Sequence, residues 1–262
     1  MIPQADILAW RQQHPWSTNA QVEQDLIISR AMAEIFGNQA LADQLAMRGG
    51  TALHKLYLNP PSRYSEDIDL VQTMAAPIGS ILDDLRHCLD PWLGTPVREH
   101  KSNAVKLVYR TMSEFAPVLV LKLKIEINTR EHASVHNYIL RSFAVDSRWF
   151  SAAVMIRTFT LEELLGTKLR ALYQRRKGRD LFDLWLGLQQ HSIHPGEIAR
   201  VFHAYLGEEH DHVTGEVLSS NLEKKMGHPG FLSDMAPLLR PGITYDAELA
   251  SRSVREKLLV FV

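Results

Sequence analysis

A single cysteine, Cys88, in 262 residues leaves no possibility of an internal disulfide, and a lone thiol fits a reducing compartment such as the cytoplasm. No apolar run approaches the roughly 18–20 residues that a bilayer-spanning helix needs. The opening Ile2-Pro3-Gln4-Ala5-Asp6 has neither the basic start nor the apolar stretch of a secretory signal. Neither sign of charge is in excess: 29 Lys and Arg stand against 30 Asp and Glu, a net charge of −1. The whole chain is therefore no polyanion binder, and any contact with RNA has to come from a local basic patch. Internal repeats and low-complexity tracts are lacking too. What remains is an ordinary soluble composition, 45% apolar and 23% charged, in a chain long enough to bury a core as one large domain or two small ones.

The stretch from Met47 to Val71 organises this chain. Gly49 and Gly50 stand before what reads as a short helix, Thr51 to Tyr57. Bare backbone at a helix start closes readily around an anion, which the helix dipole also favours. A proline-containing loop follows, then a strand with two aspartates one residue apart. Alternation along a strand projects Asp67 and Asp69 together and turns Ile68 and Leu70 to the core. Paired carboxylates repel unless a cation lies between them. Mg²⁺ is the usual hard cation for such oxygens and brings phosphates with it. Separately, a Gly-Gly is an ordinary tight turn and an Asp-x-Asp an ordinary wet strand edge. Together, in this order, they favour a nucleoside triphosphate held at the glycine turn and a metal held by the aspartates.

The run Arg48-Gly49-Gly50-Thr51-Ala52-Leu53, followed by Arg63-x-Ser65-x-Asp67-x-Asp69-Leu70, resembles the nucleotidyltransferase superfamily of the polymerase-β type. Within it the chain is most similar to the AbiEii-type (abortive infection) toxins of bacterial toxin–antitoxin pairs. The Gly50-to-Asp67 separation exceeds the generic pattern, and the Asn59-Pro60-Pro61 loop takes up the excess. The resemblance runs from about Arg48 to about Leu239 and is strongest at Arg48–Leu70 and Lys168–Asp183. It implies an α/β fold, a mixed β-sheet nucleotidyltransferase core with flanking helices followed by an α-helical C-terminal domain; we expect these at residues 1–155 and 156–262. It also implies Mg²⁺, a nucleoside triphosphate substrate, and an antitoxin partner of winged-helix type. Some relatives add nucleotides to the tRNA acceptor end and so block translation. Gly49, Gly50 and Thr51 would hold the phosphates with Arg63 and Ser65 as helpers.

Elsewhere, Val22, Leu26, Ile27, Ala31 and Ile35 recur at helical spacing, and residues 4–46 read as a helical N-terminal layer without visible chemistry. Gln24 and Arg30 are expected on its solvated face. Helix is expected over 77–93 and strand over 103–112. From Val118 to Asn128 the odd positions are apolar, while Lys122, Lys124, Glu126 and Asn128 share the other face. The two lysines read as a wet face. Glu126 is singled out only because the resemblance calls for a third carboxylate beside the aspartate pair, sharing the metal with Asp67 and Asp69. Residues 130–158 hold short elements without a sharp motif; His132 and His136, four apart, lack a companion ligand and read as local hydrogen-bonding residues.

Thr160-Leu161-Glu162-Glu163 is a capping box that starts a helix. Lys168 interrupts its apolar stripe of Leu161, Leu164, Leu165, Leu169 and Leu172, which is costly unless the ammonium snorkels out or meets an anion. The resemblance places a catalytic lysine at this point. Arg175-Arg176-Lys177-Gly178-Arg179 then reads as a phosphate- or RNA-facing loop, with Asp180 a plain helix cap on the bland reading. By resemblance this Arg-Asp-x-x-Asp segment is the last active-site motif. Asp180 and Asp183 share a helix face, and both stay candidates to work with Lys168. His210-Asp211-His212 reads as an exposed loop, and Lys224 and Lys225 as part of the packing of the C-terminal helices. Competing readings are a nucleotidyltransferase of small molecules, such as an antibiotic, or a non-catalytic nucleotide-binding module.

Overall fold

A computed structural model describes residues 2–58, 60–190, 192–207 and 212–262; Asn59, His210 and Asp211 lie outside the described residues. The chain divides into two units. The first runs through Ala133 and resumes at Tyr138–Phe159; the second comprises Ser134–Asn137 and Thr160–Val262.

The first unit is a mixed sheet with helices. Helices α1 (Gln4–Gln13), α2 (Asn19–Gly37) and α3 (Gln39–Gln44) come first. A reciprocal capping box between Thr18 and Gln21 starts α2. Val22, Leu26, Ile28, Met32 and Ile35 of α2 are fully buried. Strand β1 (Leu45–Arg48), helix α4 (Gly49–Leu56) and strand β2 (Asp67–Gln72) follow, then α5 (Gly79–Leu93), β3 (Val97–His100), β4 (Ala104–Met112), β5 (Val120–Asn128), β6 (Ile139–Asp146) and β7 (Ser151–Thr158). The sheet order is β3-β4-β5-β2-β1-β7-β6. Strand β1 pairs antiparallel with β2 and parallel with β7, and β2 pairs parallel with β5. The motif-bearing strands are thus interior strands of the sheet, where Ala46, Met47, Ile68 and Val71 are wholly buried.

Leu45, expected to continue a helical run, instead opens β1. Its four residues are too few for any period to declare itself. Gln24 and Arg30 are not solvated outliers. Gln24 donates to the Lys122 carbonyl at 2.9 Å, while Arg30 pairs with Glu34 and stacks over Trp92 at 4.2 Å.

The second unit is helical: α6 (Leu161–Gln174), α7 (Gly178–Gly187), α8 (Pro195–Leu206), α9 (Gly215–Met226), α10 (Pro229–Leu232) and α11 (Ala247–Lys257). Thr160 caps α6 by accepting from the Glu163 amide at 3.3 Å, but the expected return bond is missing. The buried Glu163 carboxylate instead accepts from Ser134 Oγ (2.8 Å), the Val135 and His136 amides (2.7 and 3.1 Å) and Tyr205 OH (2.8 Å). Four donors outcompete one, and the carboxylate holds the 134–137 segment in this unit. No helix among the described residues is long and apolar enough to cross a membrane.

Candidate active site

Arg48 ends β1 and is also the residue preceding the first turn of α4, so strand passes into helix with no loop. Gly49 makes that turn at φ +77°, a left-handed conformation that costs residues with a Cβ about 1–2 kcal/mol. The close approach is stricter still, because a Cβ at Gly49 would run into Asp69 Oδ2 and one at Gly50 into the Arg63 guanidinium. The register explains the first contact: Arg48 lies opposite Asp69. Two bare positions thus receive two charged side chains. Arg63 is only 3% exposed and donates to the Tyr64 carbonyl at 3.1 Å, so it braces the turn from within.

Thr51 is buried. Its hydroxyl hydrogen-bonds with Ser65 Oγ at 2.8 Å and with the Asp67 carbonyl. These bonds tie the first turn of α4 to the chain entering β2. They also engage the Thr51 hydroxyl within the protein.

The far end of α4 is held by a buried network that the sequence reading missed. Lys55 Nζ lies 2.8 Å from Asp25 Oδ1 and 2.9 Å from Ser29 Oγ, and Trp10 Nε1 donates to Asp25 Oδ2 at 3.0 Å. Burial alone would raise the Asp25 pKa; Lys55, His14 and the Trp10 bond reverse this and hold it below the ordinary carboxylate value. The helix carrying the glycine turn is pinned to α2 by an ion pair out of water.

On β2 the alternation is as expected, with Asp67 and Asp69 partly exposed and Ile68 and Leu70 buried. In the parallel pairing with β5, Asp67 lies opposite Lys124 and Asp69 opposite Glu126. The third carboxylate is in the right register, but its side chain is engaged elsewhere, ion-paired with Lys106 of β4. Among the described residues no group of three or more His, Cys, Asp or Glu side chains is arranged to hold a metal. The aspartate pair nevertheless suits a hard divalent ion. Asp67 Oδ1 is buried without a hydrogen-bond partner, and the missing Cβ at Gly49 leaves room for Asp69 Oδ2. Both features are what an oxygen-liganded cation uses. Lys124, expected on a wet face, is half-exposed there but also lies 3.4 Å from Asp67 Oδ1. Aligning the period-2 patterns of β2 and β5 would have set Lys124 beside Asp67.

In the second unit Lys168 does not snorkel. Its Nζ lies 3.1 Å from Asp180 Oδ1 and 2.9 Å from Asp183 Oδ2, with side-chain exposures of 8%, 0% and 0%. Arg175 forks onto Asp180 at 2.7 and 2.8 Å. Burial would raise the Asp180 pKa, but Lys168 and Arg175 pull it below the ordinary value. Asp180 is therefore no simple helix cap; the residue before α7 is Lys177. The basic run is likewise not an open loop. Besides Arg175 on Asp180, Arg176 meets His228 at 3.0 Å, Lys177 lies 3.8 Å from Asp234, and the Arg179 amide donates to Asp234 at 3.1 Å. Lys225 donates to the Leu172 and Tyr173 carbonyls at the end of α6, and burial pushes its pKa down to about 8. His132 and His136 bond far along the chain rather than locally, to the Gln72 carbonyl and the Thr160 hydroxyl, both at 2.8 Å, and His136 Nε2 also lies 3.1 Å from Glu197.

With this geometry in hand, comparison with known proteins is direct. The family described as Nucleotidyl transferase AbiEii toxin, Type IV TA system, matches residues 30–256. Among solved structures, the nucleotidyltransferase toxin MenT4 of Mycobacterium tuberculosis superposes with a TM-score of 0.67 at 16% identity, over 100% of this chain and 90% of that one. JHP933 of Helicobacter pylori gives 0.55 at 18% identity, over 94% and 93% of the two chains. A second H. pylori structure gives 0.50 at 19% identity, over 94% and 95%. At such identities the structures bear on fold alone. No curated protein matches the chain.

Proposed function

Because the chain belongs to the AbiEii nucleotidyltransferase toxin family of type IV toxin–antitoxin systems, we propose that it transfers a nucleotide from a nucleoside triphosphate to the 3′ end of tRNA in the cytoplasm. The observation that carries this reading is the meeting of Gly49 with Asp69. It joins an anion-binding helix start to a carboxylate pair within one strand-helix-strand segment.

Asp67 and Asp69 would hold the Mg²⁺, with Glu126 joining them once released from Lys106. When bound, that ion supplies positive charge to the triphosphate and lowers the pKa of the attacking hydroxyl. The chain's own part is positioning. Amides at the start of α4 lack partners in the preceding turn and can receive phosphate oxygens, while Arg63, Thr51 and Ser65 keep the turn in shape. The acceptor oxygen bonds to the α-phosphorus as the bond to pyrophosphate breaks, in line. Lys168 is assigned by resemblance as the group that neutralises developing charge, and its ion pairs with Asp180 and Asp183 hold the ammonium in place.

An RNA acceptor is supported by the open sheet face rather than by the Arg175–Arg179 run, whose charges are largely partnered. Arg110 lies directly opposite Lys122, both exposed, and like charges so placed repel unless an anion bridges them. The family implies an antitoxin partner, which we take to be a winged-helix protein. Incubating the protein with α-labelled triphosphates, Mg²⁺ and total RNA tests the proposal. Label should enter the tRNA band and vanish with Asp67→Asn. Label confined to small molecules would replace RNA by a small-molecule acceptor, and no label anywhere would leave only a nucleotide-binding module.

A further inference from the structure

Lys124 Nζ lies 3.4 Å from Asp67 Oδ1 across the β2–β5 pairing. That oxygen is buried and has no hydrogen-bond partner, so the ammonium is the nearest positive charge given to it by an ion pair, with Lys106 acting on Asp67 from farther off. Lys106 repeats the device against Glu126, which faces Asp69. Both lysines thus sit where a cation bound to these carboxylates would be felt most. An ammonium and a divalent ion cannot share one carboxylate oxygen, because two positive charges a few ångströms apart repel strongly where water is partly excluded. The lysine can leave: its side chain is 42% exposed and carries its charge on a flexible four-carbon stem.

We propose, resting on the metal-dependent reading above, that Lys124 is a tethered counter-ion that holds the cation's place at Asp67 and is displaced when a divalent ion binds. It thereby sets the metal affinity of the site. Free of metal, the site avoids an uncompensated carboxylate pair; loaded, it must overcome the ion pair first. Lys124 accordingly weakens metal binding, the opposite of what a residue that merely shapes the site would do.

The test is direct binding of Mn²⁺ to the full-length protein without nucleotide, by electron paramagnetic resonance of the free ion, at physiological salt. Lys124→Met should tighten binding on the order of fivefold, the upper end of what one half-exposed ion pair is worth. Lys122→Met, two residues along the same exposed face, should shift it less than twofold, and Asp67→Asn should abolish it. Unchanged or weaker binding in Lys124→Met, with Asp67-dependent binding intact in the unsubstituted protein, overturns this inference and leaves the transferase reading standing. Equal tightening by Lys122→Met also overturns it, since general surface charge would then suffice. If neither the unsubstituted protein nor Lys124→Met binds Mn²⁺ without nucleotide, the inference falls, and the transferase reading is left to the label-transfer assay, because two carboxylates can complete a cation's ligand set with triphosphate oxygens.

Discussion

Glu126 stands directly opposite Asp69 in the parallel β2–β5 pairing, yet its carboxylate is held by Lys106 on the next strand. Register and side-chain direction therefore disagree about whether it joins the aspartates. This distinguishes the three carboxylates. Asp69→Asn, at the glycine turn, should lower nucleotide transfer by about a hundredfold or more, the scale of losing one principal electrostatic group from a reaction site. Glu126→Gln should cost about tenfold, as for a supporting ligand. Equal losses in a label-transfer assay would mean that Glu126 moves fully into the site during turnover.

Gly49→Ala tests the turn itself. The substitution meets both the left-handed backbone at φ +77° and the Asp69 carboxylate. Together these should destabilise the protein by roughly 2 kcal/mol or more, a fall in Tm of about 4–8 °C. Transfer activity should be lost even where the protein remains folded, because Asp69 has to move. Thermal melting and label transfer on one preparation check both. A variant with unchanged Tm would show the turn to be far softer than its geometry suggests.

The local parts of this site were legible in the residues, and the reasons are physical. Period-2 alternation placed Asp67 and Asp69 on one side of β2, and two glycines marked a turn that requires them. Lys168 in an apolar stripe signalled a buried charge, and that charge is indeed buried against Asp180 and Asp183. What escaped was partnership across long separations. A charged residue declares its need for a counter-ion but not which one supplies it. So Lys55 with Asp25, Glu163 with the 134–137 segment, and the Arg175–Arg179 run with Asp180, His228 and Asp234 became visible only in three dimensions. Strand β3, with all four residues exposed, offers no apolar alternation to read.

Glu23 on α2 gives a pH signature. It is buried, its Oε1 has no hydrogen bond, and Oε2 accepts from the Glu114 amide at 2.9 Å. Burial raises its pKa from 4.5 to about 7. The folded state therefore favours the protonated acid. Its stabilising contribution is complete below pH 4.5 and is lost as pH rises to 7. Glu23→Gln keeps the acceptor and removes the buried charge. It should raise Tm by several degrees at pH 8 and by little at pH 5. An equal gain at both values would mean that packing, not ionisation, is responsible.

Lys168 and Asp180 lend themselves to a double-mutant cycle. Removing one partner of a buried pair strands the other, so Lys168→Met and Asp180→Asn should each cost about 3–5 kcal/mol. Lys168→Met takes the ammonium away from Asp180 and Asp183 together, and should be the worse of the two. Combining the substitutions leaves fewer stranded charges, so the double variant should be more stable than the sum of the singles by about 1–3 kcal/mol. Acid provides an independent check. The folded pKa of Asp180 lies below its ordinary value, so its stabilising contribution is present above the unfolded pKa, near 4, and is lost as pH falls through the folded one. Asp180→Asn should therefore flatten the acid limb of a stability profile by urea denaturation. If the singles prove additive and the acid limb is unchanged, the ion pair is dispensable to the fold, and the retention of three buried charges would have to be explained by catalysis alone.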